Sequence, residues 1–307
     1  MNTFDSFREK GSAPRLAELR GIFRERFGFL KDVVDRGSET FGTGWIREFE
    51  ECVARVFPSE EALSAAAKGY ALFVLDLLRA QKKFDKEHTY ENKTYAEAAE
   101  QVYFDTDYML SQYLPALLLS HYLWPHHYFQ ARFFDSAFVA QMQLRQPVRF
   151  AEIGVGTGLY SRRVLQQIPW ASGVGFDISP AAKGFAEAHL SAFAVRDRYN
   201  VALRDVLSEP IEPCEWLVCV EVLEHLEDPV AFLRALRAAL RPGGRAFITA
   251  ALNAPHVDHI YLYQKVEDVI DELRTAGFAL EQAFLGAAHL SLDSNAPTPS
   301  VAAFIVG

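Results

Sequence analysis

The sequence is short of cysteine, of basic charge and of long apolar runs. Cys52, Cys214 and Cys219 are its only cysteines in 307 residues. They are too few and too scattered for a disulfide framework or a thiolate zinc site, which makes a reducing, cytoplasmic setting the default expectation. Asp and Glu number 40 against 31 Lys and Arg, a formal charge of −9. That deficit, with no Lys/Arg block, argues against nucleic acid or an anionic membrane as partner. The most apolar stretches, such as Tyr70–Leu78, are short and broken by Asp76, far from the roughly 18 residues of a membrane span. The polar N-terminus does not read as a signal peptide. What is present is a half-apolar chain, able to bury a core without disulfide or metal staples and long enough for about two domains.

The character of the chain changes near Gln146-Pro147. Before it, helical periodicity dominates. Leu16, Leu19, Ile22, Phe23, Phe27 and Leu30 predict a helix over Pro14–Asp35. Ser59 reads as the N-cap of Glu60–Phe84, and Thr94 with Glu97 forms a capping-box pattern ahead of Ala98–Phe104. Asp105–Trp124 and Pro125–Met142 read as two more helices, with Pro115 and Pro125 as kinks or starts. After residue 146, short apolar runs alternate with helical stretches and glycine turns, the pattern of a parallel α/β sheet. Strands are expected at Val148–Ile153, Gly173–Phe176, Val201–Leu203, Trp216–Val220, Arg245–Ala250, Ala279–Leu285 and Val301–Val306. Helices are expected at Leu159–Gln167, Pro180–Leu190, Pro229–Leu240 and Val266–Thr275. The reading is therefore an all-helical domain over residues 1–146 and a Rossmann-like α/β domain over residues 147–307.

The most informative stretch is Glu152-Ile153-Gly154-Val155-Gly156-Thr157-Gly158. It follows a strand and opens a helix, so its glycines can turn the chain and let a ligand approach the backbone. Leu159 stands where a dinucleotide fingerprint wants Gly or Ala, and a pyrophosphate beside Glu152 would suffer like-charge repulsion. S-Adenosylmethionine (SAM), with a sulfonium, an ammonium and one carboxylate, fits better. Asp177 ends the second strand about twenty residues on, where an acid can accept from both ribose hydroxyls. Asp205, at the end of the third strand, could accept from the adenine amino group, with Val206 beside it.

These residues, with Gly175-Phe176-Asp177-Ile178-Ser179, Glu221-Val222-Leu223-Glu224-His225-Leu226-Glu227-Asp228-Pro229 and Leu240-Arg241-Pro242-Gly243-Gly244, resemble the class I SAM-dependent methyltransferases over about Pro147 to Gly307. The resemblance implies a seven-stranded sheet with a final antiparallel strand. It implies a cofactor site of Glu152, Gly154, Gly156, Gly158, Asp177, Ile178, Asp205, Val206 and Glu221. Gly154 and Gly156 would meet the methionyl part, and Glu221-Val222 would lie near the sulfonium. S-Adenosylhomocysteine would be the product.

No acceptor is named by these motifs. An oxygen or protonated amine would benefit from a general base, and His225, His256 and His259 are the candidates. His225 also reads as a residue that shapes the turn, and His256 and His259 as satisfied loop histidines. With Asp258 they lack a fourth group and the spacing of metal ligands, so no metal is expected. The aromatic run from His121 to Phe134 supplies substrate candidates in Tyr122, His126, His127, Gln130 and Arg132, the last as a carboxylate clamp; Asn253 follows the fifth strand. Aromatic faces suit cations, which tilts the acceptor toward sulfur or nitrogen. The expected function is methyl transfer to S, N or O of a small molecule, such as an amino acid, a related carboxylate or a natural-product intermediate, under a helical lid that could also build a homodimer. Aminopropyl transfer or cyclisation of SAM, releasing methylthioadenosine, is an alternative, as is a non-catalytic SAM-binding interaction protein.

Overall fold

The computed structural model describes residues 13–91, 93–288 and 297–307. Helix α1 (Pro14–Arg26) ends at Phe27, and a short 3₁₀ turn over Gly28–Leu30 leads into α2 (Val33–Val56), which is kinked at Gly42, where φ is +72°. The single helix expected over Pro14–Asp35 is thus two. Phe27 leaves the helical region at φ −136° and Gly28 follows it, so the apolar spacing continues across a break in the hydrogen-bond ladder. Helix α3 (Glu60–Glu87) starts where Ser59 accepts the Ala62 amide at 3.1 Å. Thr94 and Glu97 cap one another's backbone amides, as the capping-box pattern predicts. The next turns are wide: Ala99–Tyr103 and Met109–Tyr113 are π-helical, a geometry frequent at functional sites. Helix α4 (Leu114–Leu123) carries Pro115 in its first turn, and α5 (Pro125–Phe133) begins at Pro125.

The sheet begins after Gln146-Pro147. Its strands are β1 (Val148–Ile153), β2 (Ala171–Asp177), β3 (Tyr199–Leu203), β4 (Cys214–Cys219), β5 (Leu240–Leu252), β6 (Leu280–Ala287) and β7 (Ser300–Val306). They lie in the order 3-2-1-4-5-7-6, with β7 antiparallel to both neighbours. Helices α6 (Leu159–Gln167), α7 (Pro180–Ala192), α8 (Pro229–Ala239) and α9 (Val266–Thr275) connect them. Every strand predicted from the sequence is present, most of them one to three residues longer. The order reverses between β1 and β4, and in open α/β sheets ligands bind at that switch, beyond the carboxyl ends of the strands.

Alternation along the strands sends one set of side chains to each face. Ala151, Leu217, Ile248 and Phe304 pack with α8 and α9. Phe150, Val218, Phe247 and Ile305 face the other way and join the helical half in one apolar core with Leu16, Trp45, Phe49, Phe134 and Phe138. The rings of Phe138 and Trp216 lie 5.4 Å apart, and those of Phe134 and Phe247 4.9 Å. Each such side chain contributes about 1.5–3 kcal/mol when fully buried. The helical half is therefore fastened over one face of the sheet, with its wide turns above the strand ends. Among the described residues, no helix is long and apolar enough to cross a membrane.

Candidate functional site

A cavity of about 720 Å³ lies over the carboxyl ends of β1, β2 and β4, within the size range of small-molecule sites. On the sheet side its wall includes Glu152, Gly154, Gly156, Asp177, Ile178, Asp205, Val206 and Glu221. Gly154 has φ +69°, and a Cβ there would sit 2.6 Å from Val222 Cγ2, so the loop can pass only as glycine. Asp177 is buried, and its two oxygens accept the Gly156 amide at 2.9 Å and the Ser179 amide at 2.8 Å. It thus clamps the glycine loop to the end of β2, with lone pairs left for a ligand hydroxyl. Asp205 is exposed and accepts the Leu207 amide at 2.9 Å. Gly158 is outside the cavity wall; at φ +72° it lets α6 start close against α7, where a Cβ would meet that of Ala186 at 3.1 Å.

The wall is acidic. Glu152, hydrogen-bonded by Ser161 and Tyr199, is raised to about 7 by burial. Burial raises Asp177 as well, partly offset by the Gly156 and Ser179 amides. Glu221, which Thr249 hydrogen-bonds, is raised to about 7 by the same cause. It adopts φ +51°, a strained conformation for a non-glycine residue. Glu224 is fully buried and pushed well above the carboxylate range by burial and by Glu221. Among the described residues, Arg204 is the one Arg or Lys in this wall. Such a surface suits a cationic ligand and repels a pyrophosphate. A SAM molecule fits it: the glycines leave room for the methionyl chain, and its positive groups would meet ionisable acids.

The three histidine candidates come together on the opposite side. His225, His256 and His259 all line the cavity. The backbone carbonyl of Glu224 accepts the amides of Ile260 and Tyr261 at 2.9 and 3.0 Å, which pins the turn after β4 to the loop after β5. Asp258, fully buried, accepts Tyr113 Oη–H at 2.7 Å and Tyr103 Oη–H at 3.1 Å, and takes a short contact from His256 Nδ1. Burial alone would raise Asp258, but the imidazoles of His225 and His256 hold it well below the carboxylate range. His256 Nε2 is buried and meets no hydrogen-bond partner among the described residues. His259 donates Nδ1–H to the Ala254 carbonyl at 2.6 Å, and burial with nearby His225 keeps the ring neutral. His225 Nδ1 faces the Asp258 carbonyl at 3.0 Å and the Tyr103 hydroxyl at 2.9 Å.

Of the substrate candidates, His126 and His127 line the cavity, with His121 and Trp124. Trp124 stacks on His126 at 5.7 Å. Burial lowers His121 to about 3 and His127 well below the imidazole range, so both are neutral. The others lie away from the wall. Tyr122 stacks on Phe49 in the core, and its hydroxyl accepts Arg162 at 2.8 Å. Gln130 donates to Tyr160 at 2.9 Å. Arg132 is largely exposed and pairs with Asp135. Asn253, at φ +50°, donates to the Gln264 carbonyl at 2.9 Å.

Sequence reasoning passed over the segment that covers the cavity. Tyr95, Tyr103, Met109 and Tyr113 line it, and Ser179 donates to the Tyr103 carbonyl at 2.7 Å. The available signal was composition: residues 90–113 hold five of the twelve tyrosines.

Residues 151–246 match the family described as "Methyltransferase domain". The chain is 32% identical over 102 residues to the ubiquinone biosynthesis O-methyltransferase of Xylella fastidiosa (strain 9a5c), covering 33% of this chain and 41% of that protein. It is 31% identical over 108 residues to the protein of the same name from Aeromonas salmonicida (strain A449), covering 35% and 44%. It therefore spans less than half the length of these curated relatives. In fold it is similar to the mitomycin 7-O-methyltransferase MmcR, at a TM-score of 0.55 and 13% identity over 98% of this chain and 96% of that one. The glycine loop, the acids at the ends of β1 and β2 and the strand order agree with the methyltransferase-domain match over residues 151–246, and the sheet half of the chain is similar to the class I SAM-dependent methyltransferases.

Proposed function

We propose that the chain is a SAM-dependent methyltransferase acting on a hydroxyl oxygen of a small, uncharged, largely apolar molecule. The observation that carries this reading is His256, whose Nε2 is buried at the cavity without a partner among the described residues while Nδ1 faces the Asp258 carboxylate. With Nδ1–H donated to Asp258, Nε2 holds a lone pair and can take a proton from an acceptor hydroxyl. Asp258 steadies the resulting imidazolium, and Tyr103 and Tyr113 hold Asp258. SAM, when bound, supplies the methyl group: its carbon–sulfur bond breaks as the carbon–oxygen bond forms, and sulfur keeps the electron pair as a neutral thioether. Proximity and alignment supply much of the remaining rate.

A hydroxyl makes use of such a base, whereas a thioether has no proton to lose, so the imidazoles turn the reading from sulfur toward oxygen. The O-methyltransferase names of the two bacterial relatives point the same way. Glu152, Gly154, Gly156, Asp177, Ile178, Asp205, Val206 and Glu221 would hold the cofactor. Phe73, Tyr113, Trp124 and His127 would hold a flat apolar acceptor, with the 93–113 segment as cover. A wall with Arg204 as its one described Arg or Lys gives little support to an acceptor carboxylate or phosphate.

The test is mass spectrometry of the nucleoside product, with SAM alone and with a pooled extract of small phenols and alcohols. S-Adenosylhomocysteine formed only with acceptor, beside an alkali-stable methyl ether, supports the reading. Methylthioadenosine formed from SAM alone would replace it with chemistry on the methionyl chain.

A further inference from the structure

Among the described residues, Glu224 has both carboxylate oxygens buried in the cavity wall without a partner at full hydrogen-bonding geometry, although the amides of Glu224 and Ala251 are close. The side chain is wholly buried. An unpartnered carboxyl in the interior stays neutral unless something positive joins it. Among the described residues, the imidazoles of His225 and His259 stand beside it. His225 Nε2 lies 4.0 Å from Glu224 Oε1, and the His225 and His259 rings are 4.8 Å apart at an interplanar angle of 83°. One ligand atom from each of Glu224, His225 and His259 lies within 4.8 Å of the other two.

The outer contacts fit a metal site. His259 Nδ1–H is held by the Ala254 carbonyl, and His225 Nδ1 faces the Asp258 carbonyl, so each ring presents Nε2. A backbone carbonyl on the far ring nitrogen is the usual support of a metal-bound histidine. Side-chain movements on the order of 1 Å would bring the three atoms to bonds of roughly 2.0–2.2 Å. A second group, His256, Asp258 and His259, is also compact. There the Asp258 oxygens already accept Tyr103, Tyr113 and His256, so it offers no spare carboxylate.

We propose that Glu224, His225 and His259 form a binding site for a divalent transition-metal ion in the wall of the cavity. Two imidazoles and one carboxylate suit Zn²⁺, Mn²⁺ or Fe²⁺ and leave coordination positions open toward the cavity. The ligand set stands apart from the methyl-transfer reading. The ion's use there, as a Lewis acid toward an acceptor oxygen with His256 left as base, rests on that reading.

The full-length protein, stripped with a chelator and dialysed, is titrated with Zn²⁺, Mn²⁺ and Mg²⁺ alone, by calorimetry and elemental analysis. One ion of Zn²⁺ or Mn²⁺ per chain is expected, with Mg²⁺ much weaker. Glu224→Gln and His259→Ala should each weaken binding by about tenfold or more. Because either variant could lose its fold, circular dichroism is recorded for both, and Co²⁺ is added to the wild-type chain, where visible bands of nitrogen ligation are expected. No stoichiometric Zn²⁺ or Mn²⁺ binding, Co²⁺ without such bands, or unchanged binding in two folded variants would overturn the site. SAM affinity, measured on the same metal-free protein, separates the two ideas: a chain that binds SAM but takes up no ion keeps the methyltransferase reading and loses the metal site, and one that takes up the ion but not SAM keeps the metal site and loses that reading.

Discussion

Replacing Glu152 by Gln tests whether the acidic floor of the cavity is held partly protonated until a cation arrives. The amide keeps the shape and can still accept from Ser161 and Tyr199, which hydrogen-bond the carboxylate now. Burial raises Glu152 to about 7 from an ordinary 4.5. A carboxyl whose folded pKa is raised holds its proton more tightly folded than unfolded, so its contribution is most favourable below pH 4.5 and is lost as pH rises through 7. That gap corresponds to roughly 3 kcal/mol, most of it falling between pH 5 and pH 8. Urea unfolding at half-unit steps should show wild-type stability declining over this range and the Glu152→Gln protein declining less, by roughly 2–3 kcal/mol. Asp177 and Glu221 add to the wild-type slope in the same direction and remain in the variant, so the difference between the two proteins isolates Glu152. SAM carries positive charge and should favour the ionised form. Its affinity for the wild type should therefore rise with pH up to about 7 and level off, with a smaller rise in the variant. Parallel stability curves for the two proteins would refute the argument.

Asp177→Ala removes the acceptor of two loop amides, and SAM affinity by calorimetry should fall by about 1–3 kcal/mol; an unchanged Kd would remove Asp177 from the cofactor site. His256→Ala should lower kcat by roughly 10²–10⁴ while SAM affinity stays within about twofold, and retained turnover would dismiss His256 as the base. Gly158→Ala, at φ +72° and against Ala186, should lower stability by about 1–3 kcal/mol in chemical denaturation; wild-type stability would show that α6 and α7 can separate freely.

The order of strands and helices in the sheet half was legible because each local signal agreed with the fold. The glycine loop sits between β1 and α6, and Val266–Thr275 and Leu159–Gln167 have the ends their patterns predict. The helical half was less legible. Gly37, Gly42 and Gly44 weaken the helical signal over Val33–Val56, the helix kinks at Gly42, and burial of Trp45, Ile46 and Phe49 fixes the part beyond the kink. The site divides the same way. Acids at strand ends are placed by topology, so Asp177 and Glu221 could be read directly. The meeting of Glu224, His225 and His259 depends on two backbone bonds between loops about 36 residues apart in sequence, which no periodicity reports. Tyr122 and Gln130 lie in a run rich in aromatics, and helical spacing alone does not say which of its faces meets core and which meets cavity.

The apolar core shared by the helices and one sheet face has a consequence for engineering. Phe134 and Phe138 contribute to the same packed layer as Phe247 and Trp216, so the helical half is not an interchangeable module. A chimera that grafts another relative's helices onto this sheet would have to carry over the matching sheet residues too, or leave voids at each mismatched ring. On the proposed reading, acceptor preference is then most directly altered within the tyrosine-rich segment over residues 93–113, which borders the cavity at Tyr95, Tyr103 and Tyr113.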